Sequence, residues 1–300
     1  MSIRHWINAT RPKTLPASIV PVVLGIAAAY HDGGHDFSKI NILTALLTLL
    51  CGLGIQILTN FVNEIYDFKK GVDTDERKGP VRAVAKGLIS VQQMTRASIF
   101  VAAITFIMGI YLVATSGYYI LIVGIVSLFL AYGYTAGPAP LSYLGIGDLF
   151  VLVFFGIVAV NGTYYIQTNT FSYQVFWMSL PIGFFATNIL GVNNIRDVRT
   201  DKVAKKITLP VRIGVKNAII LYVLLTAAAY FMGIFIVFSM RDYVFALPLL
   251  TIPLGIKLCY DIFRKRDEEL NLVLAGTAKL SLFYGILLSL SLVIKTQLRI

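Results

Sequence analysis

Nine stretches of about twenty mostly apolar residues run through this 300-residue chain, near 15–31, 42–62, 97–115, 118–136, 147–168, 175–192, 216–238, 243–260 and 271–294. A helix needs roughly 20 such residues to cross a hydrocarbon core about 30 Å thick, and in lipid every backbone amide has to be paired within the chain. The expected fold is therefore all-α: a polytopic integral membrane protein, a bundle of nine transmembrane helices forming one domain over residues 1–300. A hydrophobic content of 57% against 14% charged residues excludes an ordinary soluble globular protein. The thinnest boundary is Ser116–Gly117, where a short uncharged turn divides two of the helices.

The charges test this partition, because loops that stay in the cytoplasm collect Lys and Arg. With nine spans, 21 of the 26 basic residues fall on the side of the N-terminus and four on the other, Lys39, Arg241, Lys295 and Arg299, while Lys279 lies inside the ninth helix. The N-terminus is thus expected in the cytoplasm and the C-terminus outside. The net charge of +11 would suit nucleic acid, an anionic membrane surface or a phosphorylated substrate. The apolar runs favour the last two, so membrane lipid is an expected partner and nucleic acid is not. Pro12, Pro16 and Pro21 interrupt the first apolar stretch, which has no clear cleavage site and does not read as a signal peptide. Cys51 and Cys259 sit in apolar surroundings without metal-site or disulfide spacing and read as packing residues, and His5, His31 and His35 read as non-catalytic.

Polar residues concentrate in two cytoplasmic loops, 63–96 and 193–215, separated by four helices. The first opens Asn60-Phe-Val-Asn63-Glu64-Ile-Tyr66-Asp67, followed by Asp73, and the second opens Asn193-Asn194-Ile-Arg196-Asp197-Val-Arg199-Thr-Asp201. Residues four apart share a helix face, so Asn63 joins Asp67, and Asn193 joins Asp197 and Asp201. Clustered carboxylates repel one another and call for cations; hard oxygen ligands suit Mg²⁺, which commonly bridges a few carboxylates to substrate phosphates. Interleaved Lys69, Lys70, Arg77, Lys78, Arg82, Arg196, Lys202, Lys205 and Lys206 offer donors to anionic oxygens. A solvated loop obeying the charge-orientation rule would show one such cluster; two loops opening with the same Asn-x-x-x-Asp point instead to a metal–diphosphate complex.

These loops resemble the two Asp-rich motifs of the UbiA superfamily of intramembrane aromatic prenyltransferases, with the nearest similarity to its menaquinone branch, the 1,4-dihydroxy-2-naphthoate polyprenyltransferases. The resemblance runs through Arg11-Pro-Lys13-Thr-Leu-Pro16, Asn63 to Gly87, Tyr134-Thr-Ala-Gly137-Pro138, Gly147-Asp148-Leu149, Gly162-Thr-Tyr-Tyr165-Ile-Gln167, Asn193 to Gly214 and Thr277-Ala-Lys279-Leu280. Two positions depart from the common pattern: Glu64 stands where many members have Asp, and Gly71 stands where evenly spaced branches have a third acid, with Asp73 nearby.

The resemblance implies transfer of a polyprenyl group from a polyprenyl diphosphate to 1,4-dihydroxy-2-naphthoate, with diphosphate and CO₂ released, in a bacterial inner membrane. It implies Mg²⁺ held by Asn63, Asp67, Asp197 and Asp201, with Asp73 and Asn193 as further candidates. Asp67, Asp197 and Lys279 are the expected catalytic residues; Lys13, Lys69, Arg82, Arg196, Lys202 and Lys205 the expected anion contacts; and Tyr134 and Tyr165 candidate linings of a cavity shielding the allylic cation. Lys279, about 13 Å along its helix at 1.5 Å per residue, is expected to face that cavity and meet the acceptor. Asp148 opens the fifth helix, where the dipole favours a carboxylate without a catalytic reason. Branches acting on 4-hydroxybenzoate, homogentisate or haem remain open, as does a secondary transporter; a carrier would place its polar residues at the membrane midplane, whereas this chain keeps them at the helix ends.

Overall fold

The computed structural model describes residues 2–73, 78–138 and 140–294; Asp75, Glu76, Arg77, Lys295 and Arg299 lie outside these. Helices account for its regular structure, with no strand among the described residues. Seven of them are individually long and apolar enough to cross a membrane: α3 (Ile42–Lys69), α4 (Val91–Ser116), α6 (Gly147–Thr168), α7 (Tyr173–Arg196), α10 (Val215–Met240), α11 (Tyr243–Arg264) and α12, whose regular part is Leu270–Val293. The first span is broken: α1 (Ile3–Ala9) continues through a 3-10 turn at Pro12–Thr14 into α2 (Pro16–Asp32), with a bend of 58°. Pro12 and Pro16 each remove an amide donor, and Arg11 between the halves takes a left-handed conformation with φ 52°.

Against the expected nine, seven helices among the described residues, or eight with the bent pair taken as one, are spans by length and composition. The remaining segment, α5 (Tyr118–Gly133), has 16 residues, about 24 Å of helix, and falls short of a hydrocarbon core of about 30 Å. It is short because Gly117 at φ 85° starts it directly after α4, and the 3-10 turn at Leu141–Tyr143 follows soon after its end. The molecule is an integral membrane protein of the all-α class.

Helix α7 packs against α6, α10 and α12, while α2 packs against α6 and α12. Their buried face carries Leu24, Phe185, Tyr222 and Tyr284. Close approach depends on missing side chains: a Cβ on Gly156 would lie 2.6 Å from the Gly183 Cα, so α6 and α7 touch backbone to backbone there. Residues Leu152–Val158 of α6 are wound as a π-helix around this crossing, the kind of local unwinding that marks functional sites in helices. Helices α3, α4 and α5 form the other wall. The connections after α3, α5, α7 and α11 meet at one end of the bundle, tied by Lys78–Glu268 at 3.5 Å and by the Asn271 amide donating to the Lys78 carbonyl at 3.0 Å. At the opposite end the Tyr164 hydroxyl donates to Asp32 at 2.7 Å and the Asn41 amide to Gln167 at 3.0 Å.

Candidate active site

Asp67 is in the last turn of α3 because the helix closes there in a Schellman arrangement: the Val72 amide donates to the Asp67 carbonyl at 2.9 Å and the Gly71 amide to the Phe68 carbonyl at 3.0 Å. Gly71, at φ 68°, takes the left-handed position this closure needs. The third acid therefore stands at Asp73, beyond the turn. The second motif closes in the same way. After α7 and the short α8 (Val198–Val203), and before the short α9 (Leu209–Ile213), the Lys206 amide donates to the Asp201 carbonyl at 2.8 Å and the Lys205 amide to the Lys202 carbonyl at 3.2 Å. Here Lys205 is left-handed, at φ 54°.

These two closures bring the motifs together. The Lys206 ammonium lies 3.7 Å from Asp67 and 3.8 Å from Asp201, both carboxylates buried. Arg82 reaches Asp67 at 3.3 Å and Asp73 at 3.4 Å, so Asp73 positions the arginine, and Arg82 Nη1 is buried without a hydrogen-bond partner among the described residues. Arg196 clamps Asp197 through Nε at 2.8 Å and Nη2 at 2.7 Å, and also donates to Asn193 at 2.7 Å and Asn271 at 2.8 Å. Asn63 accepts the Thr135 hydroxyl. Glu64 is buried and holds the Val84 amide at 3.0 Å, anchoring the loop that carries Arg82. Lys70 donates to the Thr135 carbonyl at 3.2 Å and lies 4.0 Å above the Tyr143 ring.

Charge and burial oppose each other here. Burial raises the Asp201 carboxyl to about 6, with the Lys206 ammonium pulling it down and Asp197 and Asp67 pushing it up. Burial lowers Lys70, which Asp67 partly offsets. The Tyr134 hydroxyl is raised by burial and then by the charges of Asp148, Asp67 and Asp201, with Arg11 opposing.

Among the described residues no group of three or more His, Cys, Asp or Glu side chains is arranged to hold a metal. The oxygens nevertheless fit a hard divalent cation: Asp67 Oδ1 is buried without a hydrogen bond, and it shares a monovalent ammonium with Asp201. A divalent ion offers these hard oxygens twice the charge of that ammonium.

Behind the cluster a cavity of about 1240 Å³ runs between α3, α4, α5, α6 and α7. Asn63, Asp67, Arg82, Tyr134, Asn193, Arg196, Asp197 and Asp201 line its polar end, and Lys13 reaches it from the bend before α2. Its wall then turns apolar through Ile55, Phe106, Leu121 and Phe154 and extends to Cys51, Ile120 and Ile166, near the opposite ends of their helices.

Several expected residues stand elsewhere. Lys202 and Lys205 are exposed and off the cavity wall, because the left-handed turn at Lys205 brings Lys206 inward instead. Lys69 is exposed, 5.2 Å from the Tyr66 ring centroid, and Asp73 meets Arg82 without lining the cavity. Tyr165 is stacked on Phe171 at 4.8 Å, 17 positions and thus about 25 Å along α6 from Asp148. Lys279 is exposed on α12 and absent from the cavity wall, so its expected acceptor contact is corrected to a place on the outer face of the bundle. Asn271 carries no motif signal and Thr135 lies unremarked inside the Tyr134 to Pro138 stretch, while within one run of lysines it is Lys206, not the expected Lys205, that meets the carboxylates.

The UbiA prenyltransferase family model matches residues 18–285 of the chain. A 1,4-dihydroxy-2-naphthoate octaprenyltransferase of Escherichia coli is 35% identical over 295 residues, covering 96% of this chain and 94% of that protein. One from Haemophilus influenzae is 33% identical over 305 residues, covering 97% and 96%. Among solved structures, a UbiA homolog from Archaeoglobus fulgidus bound to DMAPP and Mg²⁺ superposes with a TM-score of 0.70 at 15% identity, over 96% of this chain and 98% of that one. At that identity the likeness speaks for the fold.

Proposed function

The chain belongs to the UbiA prenyltransferase family, and on that premise we propose that it transfers a polyprenyl group from polyprenyl diphosphate to 1,4-dihydroxy-2-naphthoate, releasing diphosphate and CO₂ and giving a demethylmenaquinol. The observation that carries the reading is the meeting of Asp67 and Asp201, from motifs far apart in the chain, around one cation at the mouth of a long apolar cavity. A divalent cation, Mg²⁺ on this reading and on the content of the Archaeoglobus fulgidus structure, would be held by Asp67 and Asp201 with Asn63, Asn193 and Asp197 beside them; it supplies neutralising charge to the leaving diphosphate.

The chain's own residues do the rest. Arg82 Nη1, Lys206 and Lys13 offer donors to diphosphate oxygens at the polar end. Such cations act most strongly on the charge that grows as the allylic C–O bond breaks. Arg196, with its donors on Asn193, Asp197 and Asn271, holds the second motif in place. The apolar wall accepts the isoprenoid tail and keeps water from the allylic cation. The orientation belongs to the same reading: the cluster opens to the cytoplasm of a bacterial cell.

Purified protein in lipid nanodiscs, given radiolabelled polyprenyl diphosphates of several lengths and a panel of aromatic acceptors, tests this. Expected are diphosphate and CO₂ in equal amounts from the naphthoate, loss of both on chelation and recovery with Mg²⁺. Preferential prenylation of 4-hydroxybenzoate with its carboxylate retained would overturn the acceptor while leaving prenyl transfer standing.

A further inference from the structure

Six carboxylates line the cavity: Glu64, Asp67, Asp148, Asp197, Asp201 and Glu268. Five are engaged. Glu64 holds the Val84 amide, Asp67 meets Arg82 and Lys206, Asp197 is clamped by Arg196, Asp201 meets Lys206 and the Thr208 hydroxyl, and Glu268 meets Lys78. Asp148 differs. Among the described residues its carboxylate makes no hydrogen bond or ion pair with another residue; the Thr187 hydroxyl donates to its backbone carbonyl instead, at 3.4 Å. It sits in the first turn of α6, where the helix dipole tolerates an ionised carboxylate. The dipole explains why the charge is allowed there, and leaves unexplained why it faces a cavity without a partner.

Asp148 cannot serve the diphosphate directly, since a carboxylate without a neighbouring cation repels that anion. It adjoins Tyr134. The tyrosine's hydroxyl overlies Gly147, 2.9 Å from where a Cβ would stand, and the charges acting on that hydroxyl are Asp148 first, then Asp67 and Asp201. A ring placed beside Tyr134 is therefore within reach of both the ionising centre and an uncommitted proton acceptor.

We propose that Asp148 is a catalytic base for the acceptor, taking the proton of the ring hydroxyl adjacent to the reacting carbon and later returning it. The proposal rests on the functional reading above. As the allylic C–O bond breaks, its electron pair leaves on the diphosphate, and the ring carbon bearing the carboxylate forms the new C–C bond. The neighbouring hydroxyl loses its proton to Asp148, which leaves a β-keto carboxylate. The bond to the carboxylate then breaks, CO₂ departs, and the electron pair forms an enolate whose oxygen recovers the proton from Asp148. No proton is consumed overall, and no oxidant or reductant enters.

The test compares wild type with Asp148→Asn on two acceptors, the naphthoate and its 1-methoxy analogue, which has no proton to give at that oxygen. A separate readout follows the exchange of ¹⁸O between bridging and terminal positions of the prenyl diphosphate, which reports ionisation alone. Asp148→Asn is expected to lower kcat on the naphthoate by about 10²- to 10⁴-fold, to keep isotope exchange, and to add no further loss on the methoxy analogue. Turnover on the naphthoate within about threefold of wild type overturns the proposal, as does equal loss of exchange and transfer. Should Asp148→Asn not be recovered folded, Asp148→Glu carries the same comparison: a larger loss on the hydroxyl substrate than on the methoxy substrate supports the base, and an equal loss overturns it. Wild-type protein releasing no CO₂ from the naphthoate would overturn the functional reading itself, and this proposal with it.

Discussion

Lys206 occupies the position between Asp67 and Asp201 that a divalent ion would contest, at 3.7 and 3.8 Å. Its removal should therefore separate two properties usually lost together. Lys206→Met is expected to raise divalent-cation affinity, read by calorimetry, while lowering turnover by about 10²-fold through the loss of a donor to the diphosphate. Asp67→Asn and Asp201→Asn keep size but remove ligand charge; each should lower both properties, with turnover falling at least about 10²-fold in protein whose melting is unchanged or improved. Asp201 adds a pH dependence. Its carboxyl, raised to about 6 by burial, has to lose its proton before it binds a cation. Affinity should be level above about pH 7 and fall by up to about tenfold per unit below pH 6. An affinity unchanged down to pH 5 would remove Asp201 from the ligand set.

At the scale of helices, the α6–α7 crossing is the least forgiving feature, since Gly156 and Gly183 meet backbone to backbone. Gly156→Ala should cost about 1–3 kcal/mol by overpacking, whereas Gly191→Ala, with nothing near its absent Cβ, should be neutral or stabilising by about 0.5–1 kcal/mol; thermal melts in one detergent compare the two. Hydropathy located the long helices because a membrane span leaves an apolar run that no turn can imitate. It overestimated the length of α5, where the apolar run at 118–136 continues past the helix end into Tyr134 and Thr135, residues that serve the site. The paired Asn-x-x-x-Asp motifs were legible for a similar reason: residues four apart have to share a face on any helix. Which lysine of the 202–206 stretch turns inward was not legible, because one left-handed residue, Lys205, decides it. Lys279 shows the other limit. Depth along a helix follows from sequence, but the direction a residue faces is fixed by which neighbours pack on its helix, and α12 buries Thr277, Ala278 and Leu280 while leaving Lys279 outward.

Across the whole molecule the two ends differ in charge as well as in shape. Lys69, Lys70, Lys78, Arg82 and Lys86 gather with Arg196 to Arg212 and Arg264 to Arg266 at the end that carries the carboxylate cluster, while the opposite end shows Lys39 and Arg241. Ion pairs from Lys78 to Glu268 and from Arg199 to Asp267, at 3.5 and 3.9 Å, join loops distant in sequence across the basic end. Because basic loops are retained in the cytoplasm during insertion, we propose that this end faces the cytoplasm, where a polyprenyl diphosphate would present its anionic head with its tail already in the bilayer. Single cysteines at Lys86, Lys202 and Ser38, in a background with Cys51 and Cys259 replaced by alanine, read the orientation in intact cells with a membrane-impermeant maleimide. Only Ser38→Cys should be labelled from outside, with the other two becoming reactive once the membrane is opened. Labelling of Lys86→Cys and Lys202→Cys but not Ser38→Cys in sealed cells would invert the molecule, leaving the cluster's geometry intact but placing its mouth on the wrong side for cytoplasmic substrates.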